Sequence, residues 1–174
     1  LEGLLMIDKI NVKKIIVDHF RTLYRYQTAS GPCLRDLSLF FGLPTLGTFF
    51  LTLYDIRLSG GAVTSLITSL SIFAALLFNL LLLMYDILNK DAVKKDLRKR
   101  QLIREVYSNI SHCILLAIIA ILILIAHEFQ GLELYKKFLS AIAYLFMSNL
   151  VLTLIMVLKR VHILLSQEYD GGSV

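Results

Sequence analysis

Residues 62–85, AVTSLITSLSIFAALLFNLLLLMY, determine the fold class, because these 24 residues carry no charged side chain. A helix needs about 20 consecutive apolar residues to span the hydrocarbon core of a bilayer. Three further apolar segments lie at 37–56, 110–126 and 138–158. Hydrophobic residues make up 57% of the 174-residue chain and its mean hydropathy is +0.72, which is too apolar for a soluble domain of this size. The sequence therefore predicts an all-α integral membrane protein with a four-helix transmembrane bundle over residues 37–158.

The 18 Lys and Arg residues alternate between rich and poor segments along the chain. Six precede the first apolar segment, and the three loops between apolar segments hold one, seven and two, with two more after the last segment. Loops that remain in the cytoplasm carry an excess of Lys and Arg. This pattern predicts a multi-pass protein of the bacterial inner membrane with both termini in the cytoplasm. The net charge of +5 is then concentrated on the cytoplasmic side, where anionic lipid headgroups attract it.

Residues 1–36 are predicted to form a cytoplasmic segment that contains an amphipathic helix over residues 6–27. Apolar residues recur at spacings of three and four positions, which is the period of one helix face: Met6, Ile10, Ile16, Val17, Phe20, Leu23 and Tyr24. Such a helix can lie in the lipid headgroup plane or pack against a protein, and periodicity does not separate these alternatives. Gly31 and Pro32 then break the helix before the first span. Residues 159–174 are predicted to form a cytoplasmic tail.

Residues 86–109 lie between the second and third spans and hold seven of the basic residues, interleaved with carboxylates. The stretch contains no Gly or Pro, and pairs such as Asp91 and Lys95 support a solvated helix. We therefore expect a cytoplasmic helical hairpin. Its charge is either ordinary positive-inside charge or a docking surface for a partner protein or lipid, formed by Lys94, Lys95, Arg98, Lys99, Arg100 and Arg104. Only Tyr107 offers an aromatic ring in this stretch, which argues against direct nucleic-acid binding.

Small and polar residues recur along one face of the second span and end at Asn79. Thr64, Thr68 and Ser71 lie on this face. The third span repeats the pattern, and Asn149 in the fourth belongs to a partial version. Small residues allow helices to approach closely, so the pattern predicts packing within the bundle or between copies. The alternative is a hydrated pore lined by several copies.

Pro44 lies eight residues into the first predicted span and predicts a kink, because proline removes one backbone hydrogen bond. The kink is either a packing irregularity or a hinge. No catalytic constellation, phosphate-binding loop or metal-ligand spacing appears in the sequence, so we expect no catalytic residue, no cofactor, no metal and no enzymatic activity. No acidic residue lies at mid-depth in a span, which argues against an ion-coupled transporter.

Three stretches together resemble small four-span bacterial membrane proteins encoded in phage-defence loci, such as the membrane subunit of the Kiwa system. They are the amphipathic helix, the segment 37–44 (LSLFFGLP) that follows Arg35 and Asp36, and the segment 104–111 (REVYSNIS) that enters the third span. The resemblance implies a homo-oligomer in the inner membrane that senses infection at the envelope and works with a cytosolic effector. It carries over no catalytic residue.

The sequence-based expectation is a non-enzymatic, homo-oligomeric membrane sensor or scaffold that recruits a cytosolic partner in antiviral defence. Two alternatives remain open. The first is an oligomeric pore-forming effector that depolarises the membrane, and the second is a small transporter or channel subunit.

Overall fold

The structure is a computed structural model that describes residues 12–24, 38–54, 56, 58–90, 96–129 and 133–170. Five α-helices and one π-helical turn account for nearly all of these residues, and none of them forms a strand. The helices are α1 (Val12–Tyr24), α2 (Leu43–Leu53), α3 (Gly60–Asn89), α4 (Leu97–Phe129) and α5 (Glu133–Asp170), and the π-helical turn Ser38–Gly42 leads directly into α2. The predicted all-α class is confirmed.

Three of the described helices are long and apolar enough to cross a membrane. They are α3, α4 and the part of α5 over Glu133–Ile163, with mean hydropathies of 2.4, 2.6 and 2.2 in their most apolar windows. Each of them contains one predicted span, because a long run of apolar residues specifies both helix formation and burial in lipid. The membrane character of the chain therefore agrees with the sequence.

The first predicted span, 37–56, contains a shorter helix than the other three. Its apolar helix runs over Phe40–Leu53, which is 14 residues or about 21 Å, against a hydrocarbon core of about 30 Å. Pro44 lies in the first turn of α2, immediately after the π-helical turn. The Thr45 hydroxyl donates to the Phe41 carbonyl at this junction. The kink predicted at Pro44 falls where the π-helical turn meets α2, and its role as packing irregularity or hinge stays a prediction.

Helix α4 lies at the centre of the bundle, because α1, α3 and α5 all pack on it. Its buried residues recur at alternating spacings of three and four: Val106, Ile110, Cys113, Ala117, Ala120 and Leu124. On α3 the buried residues recur every seventh position, at Val63, Leu70, Leu77 and Met84. Matching heptad spacing on two helices produces the left-handed, knobs-into-holes packing of coiled coils. The small residues of α4 let its neighbours approach closely, as the sequence predicted for this helix.

The two ends of the bundle are defined by different contacts. Asn109 of α4 contacts α1, whereas Glu128 of α4 lies beside Gly60 at the start of α3. These two α4 residues are 19 positions apart, so the contacts are separated by about 28 Å along the helix axis. Helix α1 and the start of α3 therefore lie at opposite ends of the bundle.

The connection between the second and third spans is described on both sides of a gap, and the predicted cytoplasmic hairpin stays a prediction. Helix α3 ends at Asn89 and α4 begins at Leu97, while residues 91–95 are not described. The Asp96 carboxylate accepts hydrogen bonds from the backbone N–H groups of Arg98 and Lys99, at 2.9 and 3.2 Å. This is an N-terminal cap, which satisfies donors that have no partner within the helix. Helix α4 thus has its own start rather than continuing from α3.

Candidate functional site

A cluster of buried polar side chains joins α1 to α4 and α5. Its members come from three helices and are between 0 and 8% exposed: His19, Thr22, Glu105, Asn109 and Arg160. Buried polar groups destabilise a fold unless they are paired, so each contact in this cluster matters to how α1 is held. No other described part of α1 is buried to this degree.

Asn109 holds α1 through two hydrogen bonds to its side-chain oxygen. The Nδ1 atom of His19 lies 2.9 Å from Asn109 Oδ1, and the Thr22 hydroxyl donates to the same oxygen at 2.9 Å. Because an amide oxygen only accepts, this arrangement requires the hydrogen of the neutral imidazole on Nδ1. The Thr22 hydroxyl also lies 2.7 Å from the His19 carbonyl oxygen, so its one hydrogen is shared between a local and a distant acceptor.

Arg160 of α5 contacts both α1 and α4. Its Nη2 donates to the Thr22 carbonyl oxygen at 3.0 Å, and its Nη1 lies 3.1 Å from Glu105 Oε2. Thr22 is in the last turn of α1, where backbone carbonyls have no partner within the helix and the helix dipole is negative. Arg160 therefore caps α1 with a positive charge. Gln101 donates to the other Glu105 oxygen at 3.1 Å and supports the carboxylate from within α4.

Aromatic contacts surround the hydrogen bonds. The rings of His19 and His112 are stacked, with centroids 3.9 Å apart and an interplanar angle of 8°. Phe20, the next residue of α1, stacks on Phe41 of the π-helical turn with centroids 6.0 Å apart. Helix α1 is thus fixed to α4 by one ring and to the segment preceding α2 by the other.

Burial lowers the pKa of His19, and the positive charge of Arg160 lowers it further, whereas the hydrogen bond to Asn109 acts in the opposite direction. Besides Arg160, the titratable groups that face this part of α1 are His112 and Glu105 of α4. His19 therefore binds a proton less readily when α1 is docked on the bundle than when α1 is released from it into water, where the histidine pKa is about 6.5. Neutral His19 therefore stabilises the docked state of α1, and protonated His19 destabilises it.

Acidification is expected to weaken the docking of α1. Above the ordinary histidine pKa of about 6.5 both states are neutral and docking is unaffected. As the pH falls below that value, the released helix takes up a proton first, so docking weakens by as much as about tenfold per pH unit until the lowered pKa is reached. Hydrogen–deuterium exchange of residues 12–24 at pH 7.5 and 5.5, corrected for intrinsic rates, measures this change. His19→Asn keeps a donor near Nδ1 without titrating, so equal pH dependence in this variant would contradict the assignment to His19.

The structure describes four of the six residues that were predicted to form a docking surface. Arg98, Arg100 and Arg104 are exposed on the first two turns of α4, and Lys99 is half-buried. Lys94 and Lys95 lie outside the described residues. The described members form an exposed basic surface at the same end of the bundle as α1, because Arg104 directly precedes Glu105. Whether this surface binds a partner stays a prediction.

The predicted small polar face of α3 lies on the outside of the bundle. Thr64, Thr68, Ser71 and Asn79 are all exposed, and the three hydroxyl groups donate to carbonyls four residues earlier in their own helix. The buried face of α3, in contrast, is formed by Val63, Leu70, Leu77 and Met84. Packing between copies and pore lining both remain predictions for it. Asn149 of α5 is half-buried and donates to Leu145 of its own helix.

The buried polar cluster was not predicted from the sequence. The apolar residues Ile16 and Val17 of the amphipathic pattern are exposed, and α1 docks on the bundle through His19 and Thr22. One signal was present: Glu105 and Arg160 are opposite charges that lie just before the third and just after the fourth predicted span, at ends that the sequence predicts to be cytoplasmic. Antiparallel neighbouring helices bring such positions to the same height, where they can pair.

The fold and this site define an all-helical protein with membrane-spanning character and an amino-terminal helix docked through buried polar groups. In the part of the chain that the structure describes, no group of three His, Cys, Asp or Glu residues is arranged to hold a metal ion. Comparisons with protein-family models, with curated proteins and with solved structures give no match for this chain.

Proposed function

We propose that the chain crosses a bacterial inner membrane four times, with both termini in the cytoplasm. The position of α1 and of Gly60 at opposite ends of the bundle supports this proposal, because the chain between them must travel its length. Together with α3, α4 and α5, that passage makes four crossings. The basic residues of α1, of the start of α4 and of Lys159 and Arg160 all lie at one end, which the positive-inside rule assigns to the cytoplasm.

The protein acts as a membrane sensor or scaffold that transmits a change in its membrane helices to a cytosolic partner. The observation that carries this proposal is the polar cluster, in which α1 is held to α4 and α5 by Asn109 and Arg160. A movement of α5 against α4 separates Arg160 from Glu105 and alters the contacts of α1 at the same time. The structure contains the docked arrangement of α1, and the proposal adds a released one, because a switch requires two states.

The cytosolic partner binds the outward face of α1 together with the basic surface of α4. Exposed residues on α1 combine charge and apolar side chains, namely Lys13, Lys14, Ile16, Val17 and Arg21. Mixed basic and apolar surfaces suit an acidic protein partner or anionic lipid headgroups. The role in antiviral defence rests on the sequence resemblance to membrane subunits of phage-defence loci.

Charge reversal on the basic surface tests partner recruitment. Replacing Lys94, Lys95, Arg98, Lys99 and Arg100 by Glu is expected to abolish co-purification of the partner, because the electrostatic attraction becomes repulsion. The same change can invert the topology, so cysteine-accessibility mapping must first establish correct insertion. Lys136→Glu, at the opposite end of the bundle, is the control and should leave recruitment unchanged. Unchanged recruitment by a correctly inserted charge-reversed protein contradicts this proposal.

Native mass spectrometry of the protein from its own host, purified in mild detergent, tests the scaffold proposal directly. A defined multimer that carries a second polypeptide supports it. In the antiviral context, deletion of the gene should raise phage plating efficiency without altering growth in uninfected cells. A multimer without any second polypeptide, during infection as well as before it, contradicts a scaffold.

A pore-forming effector is the second candidate function, and the outward polar face of α3 favours it. Thr64, Thr68, Ser71 and Asn79 are directed away from the rest of their own chain, where lipid or further copies must contact them. Several copies around an axis normal to the membrane would bring these faces together. Conductance of purified protein in planar bilayers tests this candidate, and Asn79→Leu should reduce the current. Absence of current at every applied voltage counts against a pore.

A further inference from the structure

A cavity of about 220 Å³ lies between α1 and the bundle. Four separate elements form its walls, and only two of the described helices, α2 and α3, contribute nothing to it. The lining residues are His19 and Phe20 of α1, Phe40 and Phe41 of the π-helical turn, His112 and Leu116 of α4, and Leu145, Phe146 and Asn149 of α5. Because α1 forms one wall, the contents of the cavity contact both the cytoplasmic helix and the membrane helices.

The walls select for an uncharged, mainly apolar ligand. Six of the nine lining residues are Phe or Leu, and none of the described lining residues is Lys, Arg, Asp or Glu. Charged ligands require paired charges when they are buried, and these walls offer none. Four phenylalanine rings in one cavity favour a flat ring compound, which can stack on them or meet their edges.

Three polar residues belong to the cavity wall, namely His19, His112 and Asn149. The Nδ1 atom of His112 is buried and has no hydrogen-bond partner among the described residues. Asn149 donates one amide hydrogen to the Leu145 carbonyl at 3.4 Å, which leaves its second hydrogen and its oxygen for a ligand. His19 uses Nδ1 for Asn109, which leaves Nε2 as an acceptor in the neutral ring. A ligand with one hydroxyl or carbonyl group therefore finds partners here.

The volume sets the size of the ligand. A protein cavity of about 150 Å³ lined by apolar side chains binds benzene. At about 220 Å³ the present cavity accommodates a two-ring compound with one oxygen substituent. His112, Leu116, Leu145, Phe146 and Asn149 all belong to segments of the apolar spans, so such a ligand reaches the cavity by first dissolving in the bilayer.

We propose that this cavity binds a neutral, membrane-soluble ring compound that carries a hydroxyl or carbonyl group. Binding links to the docking of α1, because a ligand that contacts α1 and the bundle together favours the docked state over the released one. The ligand site stands on the cavity alone and does not depend on partner recruitment.

Photolabelling of the full-length protein in detergent micelles tests the site. The probe is a diazirine-bearing phenol, and the competitor is 2-naphthol, with 2-naphthalenesulfonate as its charged counterpart. We expect saturable labelling of peptides that contain the lining residues, suppressed by 2-naphthol and not by the sulfonate. Labelling that is spread over the outward face of α3 and is not reduced by 2-naphthol overturns the proposal.

Two variants distinguish the cavity from general partition into micelles. Leu116→Trp fills the cavity and should reduce saturable labelling at least about tenfold, whereas Leu122→Trp places the same ring on the exposed face of the same helix and should not. If Leu116→Trp does not fold, Asn149→Leu decides the question. It should weaken competition by 2-naphthol about tenfold and leave competition by unsubstituted naphthalene unchanged. If 2-naphthol and naphthalene compete equally well in the unsubstituted protein and in Asn149→Leu, the assignment of Asn149 to the ligand's oxygen group is wrong.

Discussion

Arg160→Met is expected to destabilise the protein by about 3–5 kcal/mol, the cost of leaving one partner of a buried ion pair without the other. Glu105 is 5% exposed and Arg160 is 8% exposed, so water does not replace the lost charge. The substitution also removes the donor that caps the last turn of α1 at the Thr22 carbonyl. We therefore expect a lower midpoint of thermal unfolding in detergent, measured by the loss of the monodisperse peak after heating.

The neighbouring residue provides a matched control for Arg160. Lys159 is exposed, so Lys159→Met removes the same charge from the same turn of α5 and should change the midpoint little. A double variant, Arg160→Met with Glu105→Leu, replaces the ion pair by apolar side chains and should recover most of the loss, because no unpaired charge remains buried. If Arg160→Met and Lys159→Met have the same midpoint, the ion pair does not stabilise the bundle.

The three long helices were predictable because their determinant is local. Residues 62–85, 110–126 and 138–158 each lie within one observed helix, since a run of apolar residues is sufficient to specify a spanning helix in lipid. The parts of these helices beyond the apolar segments were predicted only between the second and third spans. Helix α5 continues to Asp170, beyond its apolar segment. Hydropathy does not predict this extension, because polar residues also form helices in water.

The polar cluster could not be predicted, because its determinants are tertiary. Asn109, His19 and Arg160 are each unremarkable in sequence, and they meet only when three helices from distant parts of the chain pack together. Periodicity also did not indicate that α1 docks through His19 and Thr22. An apolar stripe predicts which residues leave water, but Ile16 and Val17 can leave water by entering lipid while His19 and Thr22 pair with protein.

Asn109→Leu is expected to release α1 from the bundle. Leucine shares the γ-branched shape of asparagine but accepts no hydrogen bond, so His19 Nδ1 and the Thr22 hydroxyl both lose the oxygen they share. His19 Nδ1 is then left without a partner, which costs about 1–3 kcal/mol, whereas the Thr22 hydroxyl keeps its hydrogen bond to the His19 carbonyl. In inverted membrane vesicles, trypsin should then cleave faster after Arg21, since a released helix exposes its backbone to the protease.

The control for Asn109→Leu is the same substitution on the outer face of α3. Asn79→Leu makes the protein equally more apolar without touching α1, so tryptic cleavage after Arg21 should keep its original rate. Adding His19→Phe and Thr22→Val to Asn109→Leu removes the unpaired imidazole and the neighbouring hydroxyl and keeps a ring against His112, which should restore much of the protection. Restoration would establish that the polar groups select the docked position rather than supply all of its free energy. A cleavage rate after Arg21 that is the same in Asn109→Leu and Asn79→Leu would place the attachment of α1 elsewhere, on Arg160 and the ring contacts of Phe20.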